Sequence, residues 1–275
     1  MRPDSRPGKV IFCIVQIVFV IFILAPILYA VDLSILPMSQ IFKKPLDIIP
    51  RKLDFSYYKR AFEMAPLFRY LLNTLLVSAL ITVGQLILSG LAAFSFSHFH
   101  FKGKKVLFLL VLSTMMIPGE SIAISNYMTV AEAGLLDTYA ALILPSLASA
   151  MSIFFLRQSF MQMPKELYEV ACVEGSSNLR YFFTILLPLS KGSLGAVSLY
   201  IFINSWNAYM WPLLVTNSEE MRTVQIGVGM LLNAEASEYN VMMAGAVIVM
   251  IPTILIFAFG QKYILSGILT GAVKG

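Results

Sequence analysis

Charge is scarce in this 275-residue chain: 13% of its residues are Asp, Glu, Lys or Arg, against 58% hydrophobic. A soluble domain of this length could not cover so much apolar surface, so most of the chain must be solvated by lipid. The formal net charge of +5 is spread over separate loops rather than gathered on one face, which excludes a nucleic-acid partner. Cysteine is nearly absent: Cys13 lies in an apolar run and Cys172 in a polar stretch. That difference in depth argues against a disulfide and against a metal site, and both read as small buried or half-buried residues. His98 and His100 are the two histidines, and with no third ligand near they read as a solvated helix end rather than a metal site.

Two energy sources are also missing. A phosphate-binding loop needs Gly, four residues, then Gly-Lys-Ser/Thr. At Gly103-Lys104 the next residue is Lys105, and His98 stands where the first glycine belongs, so no ATP site is expected. A proton-driven carrier would place acids or histidines deep in its helices. Glu120 is the sole acid inside an apolar stretch, near the expected outer end of its helix. No catalytic residue, metal or cofactor is therefore expected in the chain itself.

What is present is a series of apolar runs. About 20 residues at 1.5 Å each cross the hydrocarbon core. The run after the basic leader (Arg2, Arg6, Lys9) is too long and lacks the cleavage site of a signal peptide. The expected spans are 10–31, 71–96, 106–127, 138–156, 192–215 and 240–261, with Pro118 kinking or breaking the third. Phe55 to Phe62 reads as a short amphipathic helix at the interface. With the N-terminus inside, 12 of the 20 Lys and Arg but 4 of the 15 acids fall on the inner side. This follows the positive-inside rule, although the first outer segment carries seven basic residues against it. The reading is an all-α integral membrane protein of six helices in a single domain, 1–275, with both termini cytoplasmic.

The polar loop 157–191 between the fourth and fifth spans then lies in the cytoplasm. Pro164 suits a first helical position, and Glu166 and Glu169 place negative charge near the helix start. Gly175 sits where a left-handed cap would stop the helix. Leu167, Val170 and Ala171 form a narrow apolar ridge, so the loop looks built to plug into something.

At these residues the chain resembles the membrane subunits of ATP-binding-cassette importers. Their loop carries Glu-Ala-Ala, three residues, Gly, nine residues, Ile, one residue, Leu-Pro. Here Glu169, Val170, Ala171, Gly175, Ile185, Leu187 and Pro188 keep every spacing, with Val170 for the first alanine. Met116 to Glu120, Gly134 to Thr138, Trp206-Asn207 with Trp211-Pro212, and the closing Thr270 to Gly275 are similar to the carbohydrate-uptake branch, which includes maltose and glycerol-3-phosphate systems. The resemblance implies a two-helix coupling loop in which Glu169 pairs with a basic residue of an ATPase subunit. Ala171 would pack closely, Gly175 would turn the chain, and Ile185, Leu187 and Pro188 would set the return into the fifth helix. It further implies a bacterial inner-membrane location, a second related permease chain, two ATPase subunits that bind ATP and Mg, and an extracytoplasmic solute-binding protein. Tails like Ser266 to Gly275 reach into the ATPase pair.

For the transport path, Asn204, Trp206, Asn207, Tyr209 and Trp211 offer amides and aromatic faces to sugar hydroxyls and ring faces, and Glu120 could gate the outer mouth. The same residues also suit helix–helix hydrogen bonding, an interfacial aromatic belt and, for Glu120, snorkelling to water. Asn73 and Thr74 read as helix-packing residues. The expected function is import of an oligosaccharide or monosaccharide by alternating access. The alternatives are glycerol-3-phosphate or a glycerophosphodiester on the same architecture, and an ATP-independent carrier or channel.

Overall fold

A computed structural model describes residues 6–41, 52–233 and 239–272. The leader through Ser5, Pro45 and Pro50 of the first outer segment, and Val273 to Gly275 of the tail lie outside the described residues. Every regular element among the described residues is helical. Helix α1 is Arg6–Ile35, α2 Ser56–Met64 and α3 Leu67–His98. They are followed by α4 Lys104–Ser113, α5 Gly119–Glu132, α6 Tyr139–Ile143 and α7 Ala150–Phe160. Then come α8 Glu166–Val173, α9 Asn178–Tyr181, α10 Lys191–Trp206, α11 Met210–Val215, α12 Val224–Asn233 and α13 Tyr239–Ala272.

Three helices are long enough and apolar enough to cross a bilayer, in α1, α3 and α13, and three bent pairs raise the number to six if each pair is one span. Proline sets one of these breaks and a further one outside the bent pairs, while the third pair, Asn178–Leu189 with α10, bends by 85°. Pro118 forces Ile117 out of the helical region, to φ −87° and ψ 118°, and the chain turns by 100° into α5. Pro212 lacks the N–H that would bond Ala208, and its ring crowds that carbonyl, so the stretch read as one span over 192–215 is broken between Trp206 and Met210. In the pair formed by Tyr139–Ser146 and α7, the chain bends by 49°, and the Ser149 hydroxyl caps α7 by accepting from Ser152.

The chain divides into two compact units. In the first, Met1–Phe68 with Gly227–Pro252, α1 is fixed at its C-terminal end. There the orphan carbonyls of a helix end need donors. The amide of Asn240 donates to Leu33 O at 2.8 Å and Leu36 O at 2.6 Å, and the hydroxyls of Ser34 and Tyr58 meet at 2.7 Å. The Met38 N–H donates to the Tyr57 hydroxyl, so the aromatics of α2 serve this junction. Farther back, large side chains from Val10 to Leu24 are exposed, as a lipid-facing helix requires.

The second unit, Arg69–Ile226 with Thr253–Gly275, carries one apolar core running from Val77 to Val215. Arg157 ties three of its elements: its Nε donates to Phe96 O at 3.0 Å and its guanidinium lies 4.2 Å over the Phe108 ring. Asn73 and Thr74 hold the loop before α12. Asn73 donates to Glu220 O and Arg222 O and accepts from the Tyr139 hydroxyl, while Thr74 accepts from Val224 N at 2.8 Å. Asp137, in the left-handed region at φ 61°, accepts from the N–H groups of Asn217 and Ser218, both at 3.0 Å.

Desolvation pushes the Asp137 carboxyl up, but hydrogen bonds from Ser218 and Asn217 and the charge of Arg222 outweigh it and hold it below the ordinary 3.8. Asp137→Ala is expected to lower unfolding stability in detergent by about 1–2 kcal/mol at neutral pH. Asp137→Asn costs less, because Asn keeps an acceptor and tolerates left-handed backbone. A depressed pKa gives stability that is complete above the unfolded value and lost as pH falls through the folded one. Thermal unfolding at several pH values should therefore show the gap between wild type and Asp137→Ala constant above pH 3.8 and narrowing below it.

Candidate functional site

The central loop is two short helices with a defined stop between them. Glu166 and Glu169 lie in the first turn of α8, where the helix dipole favours them. The helix starts two residues later than Pro164, whose carbonyl accepts from Leu167 N. It ends at Val173, and Gly175, φ 76°, turns the chain beyond the cap, with Gly175 N bonded to Cys172 O and Ser176 N to Ala171 O, the paired bonds of a Schellman cap. Ser177 then caps α9 by accepting from Arg180 N, and the Tyr168 hydroxyl donates to Asn178 Oδ1 at 2.8 Å, tying one helix to the next. Burial holds that hydroxyl above its ordinary pKa, which keeps it a neutral donor. From Phe182 to Leu186 the helix widens into a π turn before Leu187–Leu189. Pro188 has no N–H to offer Thr184, and the wider turn accommodates that gap.

An aromatic cluster fastens this loop to the long helix α3. Phe94 has ring contacts with His98, Phe99, Tyr168, Tyr181 and Phe182, at centroid distances from 4.9 to 6.2 Å. His98 also meets Tyr168 at 5.1 Å and Tyr181 at 5.7 Å. Gly90 leaves room for Phe182, whose ring would stand 3.2 Å from a Cβ at that position. His98 is thus half-buried, its Nδ1 2.7 Å from the Ser97 hydroxyl, and not the solvated helix end expected. The sequence signals no such cluster, because six aromatic or imidazole rings spread from 94 to 182 have no local spacing in common.

The loop's two faces differ. Ala171 is 4% exposed and belongs to the chain's own core, so it points away from the outer face. Leu167, Val170, Val173, Leu179 and Phe183 are exposed, Val173 at 89%. Glu169 stands exposed beside them, and no cation among the described residues pairs with it. Ile185 and Leu187 pack half-buried against the core and Pro188 is exposed. Cys172 and Cys13 are free and exposed, contrary to the buried or half-buried reading: one lies on this outer face and the other on a lipid-length helix.

The six candidate path residues separate. Asn204 and Trp211 line a cavity of about 250 Å³ together with Thr74, Ser78, Gln85 and Ser205. Trp206 is 2% exposed and stacks on Phe202 at 5.7 Å, away from that lining. Asn207 lies at the helix break, donating to Ile203 O and accepting from Gln225. Tyr209 is exposed, and Glu120 is exposed in the first turn of α5; neither lines the cavity. A second cavity of about 620 Å³ lies between α7 and α10 and shares Tyr200 and Asn204 with the first. Three of the lining residues, Thr74, Ser78 and Gln85, belong to a stripe that is visible in the sequence. Thr74, Ser78, Thr82, Gln85 and Ser89, all buried, recur every three or four residues along α3, as they do when a helix in lipid turns its polar side inward.

The family described as "binding-protein-dependent transport system inner membrane component" matches residues 85–269. The arabinooligosaccharides transport system permease protein AraQ of Bacillus subtilis (strain 168) is 34% identical over 245 residues, covering 88% of this chain and 87% of its own. The sn-glycerol-3-phosphate transport system permease protein UgpE of Yersinia pestis bv. Antiqua (strain Antiqua) is 32% identical over 274 residues, covering 96% and 98%. A chain in the crystal structure of a bacterial ABC transporter involved in the import of the acidic polysaccharide alginate shares the fold. It has a TM-score of 0.82 at 23% identity over 96% of this chain and 99% of that one. The chain belongs to the inner membrane components of binding-protein-dependent transport systems and is a multi-pass membrane permease of the ABC importer type.

Proposed function

We propose that this chain is the membrane-spanning subunit of a carbohydrate importer, and that α8 and α9 receive the stroke of partner ATPase subunits. The carrying observation is the pairing of an exposed apolar and acidic face, Leu167, Glu169, Val170 and Val173, with the aromatic cluster beneath it. Glu169 is the partner for a basic group of the ATPase. Gly175 holds the angle between the helices, and Ile185, Leu187 and Pro188 route the motion into α10. Ala171 packs inward, letting α8 sit close on its own chain, while Val170 and Val173 supply the bulk that enters the ATPase.

In this reading both termini and the loop face the cytoplasm, ATP and Mg bind only to the ATPase pair, and a second related permease completes the membrane unit. An extracytoplasmic binding protein delivers the substrate. The relatives' names leave two substrate chemistries, arabinooligosaccharides and sn-glycerol-3-phosphate. A carbohydrate is preferred because Asn204 and Trp211 line the neutral cavity.

In the reconstituted complex, Glu169→Lys is expected to cut substrate-stimulated ATP hydrolysis by at least about tenfold, since a like charge against the partner's cation costs several kcal/mol. Gly175→Pro should do the same by destroying the left-handed stop, which a proline ring cannot adopt. Normal assembly, hydrolysis and transport in both would sink the proposal, as would ATP-independent flux through the chain alone, the mark of a carrier or channel.

Tyr168→Ala separates transmission from docking. It leaves the outer face intact but removes the ring between α3 and α9, so the ATP consumed per sugar imported is expected to rise, with the ATPase subunits still co-purifying. An unchanged ratio would mean the cluster is packing alone.

A further inference from the structure

We infer that Lys104, Arg157 and Lys165 form a binding site for the headgroup of an anionic phospholipid, where the central loop meets the membrane. Which leaflet holds it follows from the orientation proposed above; the binding itself does not. One helix end brings the first two cations together. The last carbonyls of a helix lack intrahelical donors, and at the end of α3 two side chains supply them. The Arg157 Nε donates to Phe96 O at 3.0 Å and the Lys104 Nζ to Phe99 O at 2.7 Å. Those carbonyls are three residues apart, about one 5.4 Å turn, so the two charged heads are held side by side. Lys165, just before α8, stands close enough for its charge, like that of Arg157, to act on Lys104.

Capping α3 uses only part of what these groups offer. An ammonium has three donors and a guanidinium five, and Lys104 and Arg157 each give one to a carbonyl. Both side chains are half-buried, and the Phe108 ring, 4.2 Å away, covers one face of Arg157. No acid among the described residues forms an ion pair with any of the three, not even Glu166, which follows Lys165 in the chain. Like charges gathered without a counter-ion repel one another, and half-burial makes that repulsion stronger than in open water. The missing partner is therefore an anion with several acceptor oxygens. A phosphodiester suits both the fork of a guanidinium and the point charge of an ammonium.

The surroundings say what that phosphate is attached to. Past Lys104, helix α4 presents Val106, Leu107, Leu109 and Leu110, all exposed. A free phosphate gains nothing from that surface, whereas acyl chains running down from a headgroup at Lys104 cover it. Lys104 opens α4 and Arg157 lies in the last turn of α7, so both stand where an apolar helix leaves the lipid. Basic pockets between helices at that depth are where anionic headgroups bind. Because Lys165 leads into α8, a lipid held by all three cations adds a second fastening of the loop to the one made by the aromatic cluster.

The purified full chain is titrated in detergent with phosphatidylglycerol, phosphatidylcholine and inorganic phosphate, and the retained molecules are counted by native mass spectrometry. Phosphatidylglycerol is expected to bind in a saturable first step that neither of the others reproduces. Lys104→Gln and Lys165→Gln should each weaken that step by about fivefold, the effect of one cation lost beside an anionic headgroup. Lys59→Gln, the same charge loss in the first unit, should leave it unchanged. Arg157 is left intact because it also ties the core. Lys165→Gln keeps the test decisive even where Lys104→Gln unfolds, since the Lys165 side chain is exposed and makes no ion pair among the described residues.

Equal retention of phosphatidylcholine, equal retention of phosphate, or wild-type binding in Lys165→Gln would overturn the inference. So would loss of the lipid when the ATPase subunits are added, which would give the three cations to an acidic protein surface. The titration contains no ATP. Its failure with intact ATPase coupling removes the lipid site alone, whereas lost coupling evidence with intact lipid retention removes the transmission reading alone.

Discussion

The packing of Phe94 against both helices of the central loop is the contact on which the second unit's logic depends. A short helix of eight residues, α8, is marginal by itself in water, because helix nucleation is costly and few bonds repay it. It becomes a solid body only when its apolar side is buried. Ala171 and Tyr168 provide that side, and Tyr181, Phe182 and the end of α3 provide the surface. The acidic and aliphatic side left outside is then held at a fixed angle. Aromatic rings suit this role, since each covers a large area with few rotatable bonds and several can touch one central ring.

The same economy governs the interior. In a bilayer, unpaired polar groups are expensive, so the polar residues of α3 turn toward the rest of the unit. There they do unlike jobs. Asn73 and Thr74 clamp the loop before α12, Gln85 reaches Ser152 across to α7, and Ser78 lies wholly buried along the cavity wall. One stripe thus both holds a loop in place and walls a cavity, within little more than a turn.

This division explains what the sequence disclosed and what it withheld. Gly175 and its spacing from Glu169 were legible because a left-handed stop is a local demand that one residue type meets best. The apolar runs were legible because lipid acts on every residue of a span alike. Pro118 also spoke locally. Pro212 did too, yet within an uninterrupted apolar run its break was hidden by composition. Orientation across the fold was not legible. Trp206 and Trp211 are five residues apart, and only the break between them sends one to a stacked pocket with Phe202 and the other to the cavity. Ala171 turns inward while Val170 turns outward, a choice made by rings as far away as residue 94. His98 was misread for the same reason: its neighbours come from the far side of the loop.

The fastening of α1 has a different import. Its contacts to Asn240, Tyr58 and Tyr57 gather within the last turn and the residues just beyond, while the side chains from Val10 to Leu24 lie open. A rod clamped at one end and bathed in oil along its length adds little to the stiffness of what it is attached to. Its hold on the bilayer comes from transfer into lipid, not from fitting its neighbours. In engineering terms α1 is an anchor line rather than a beam: it fixes where the chain enters the membrane.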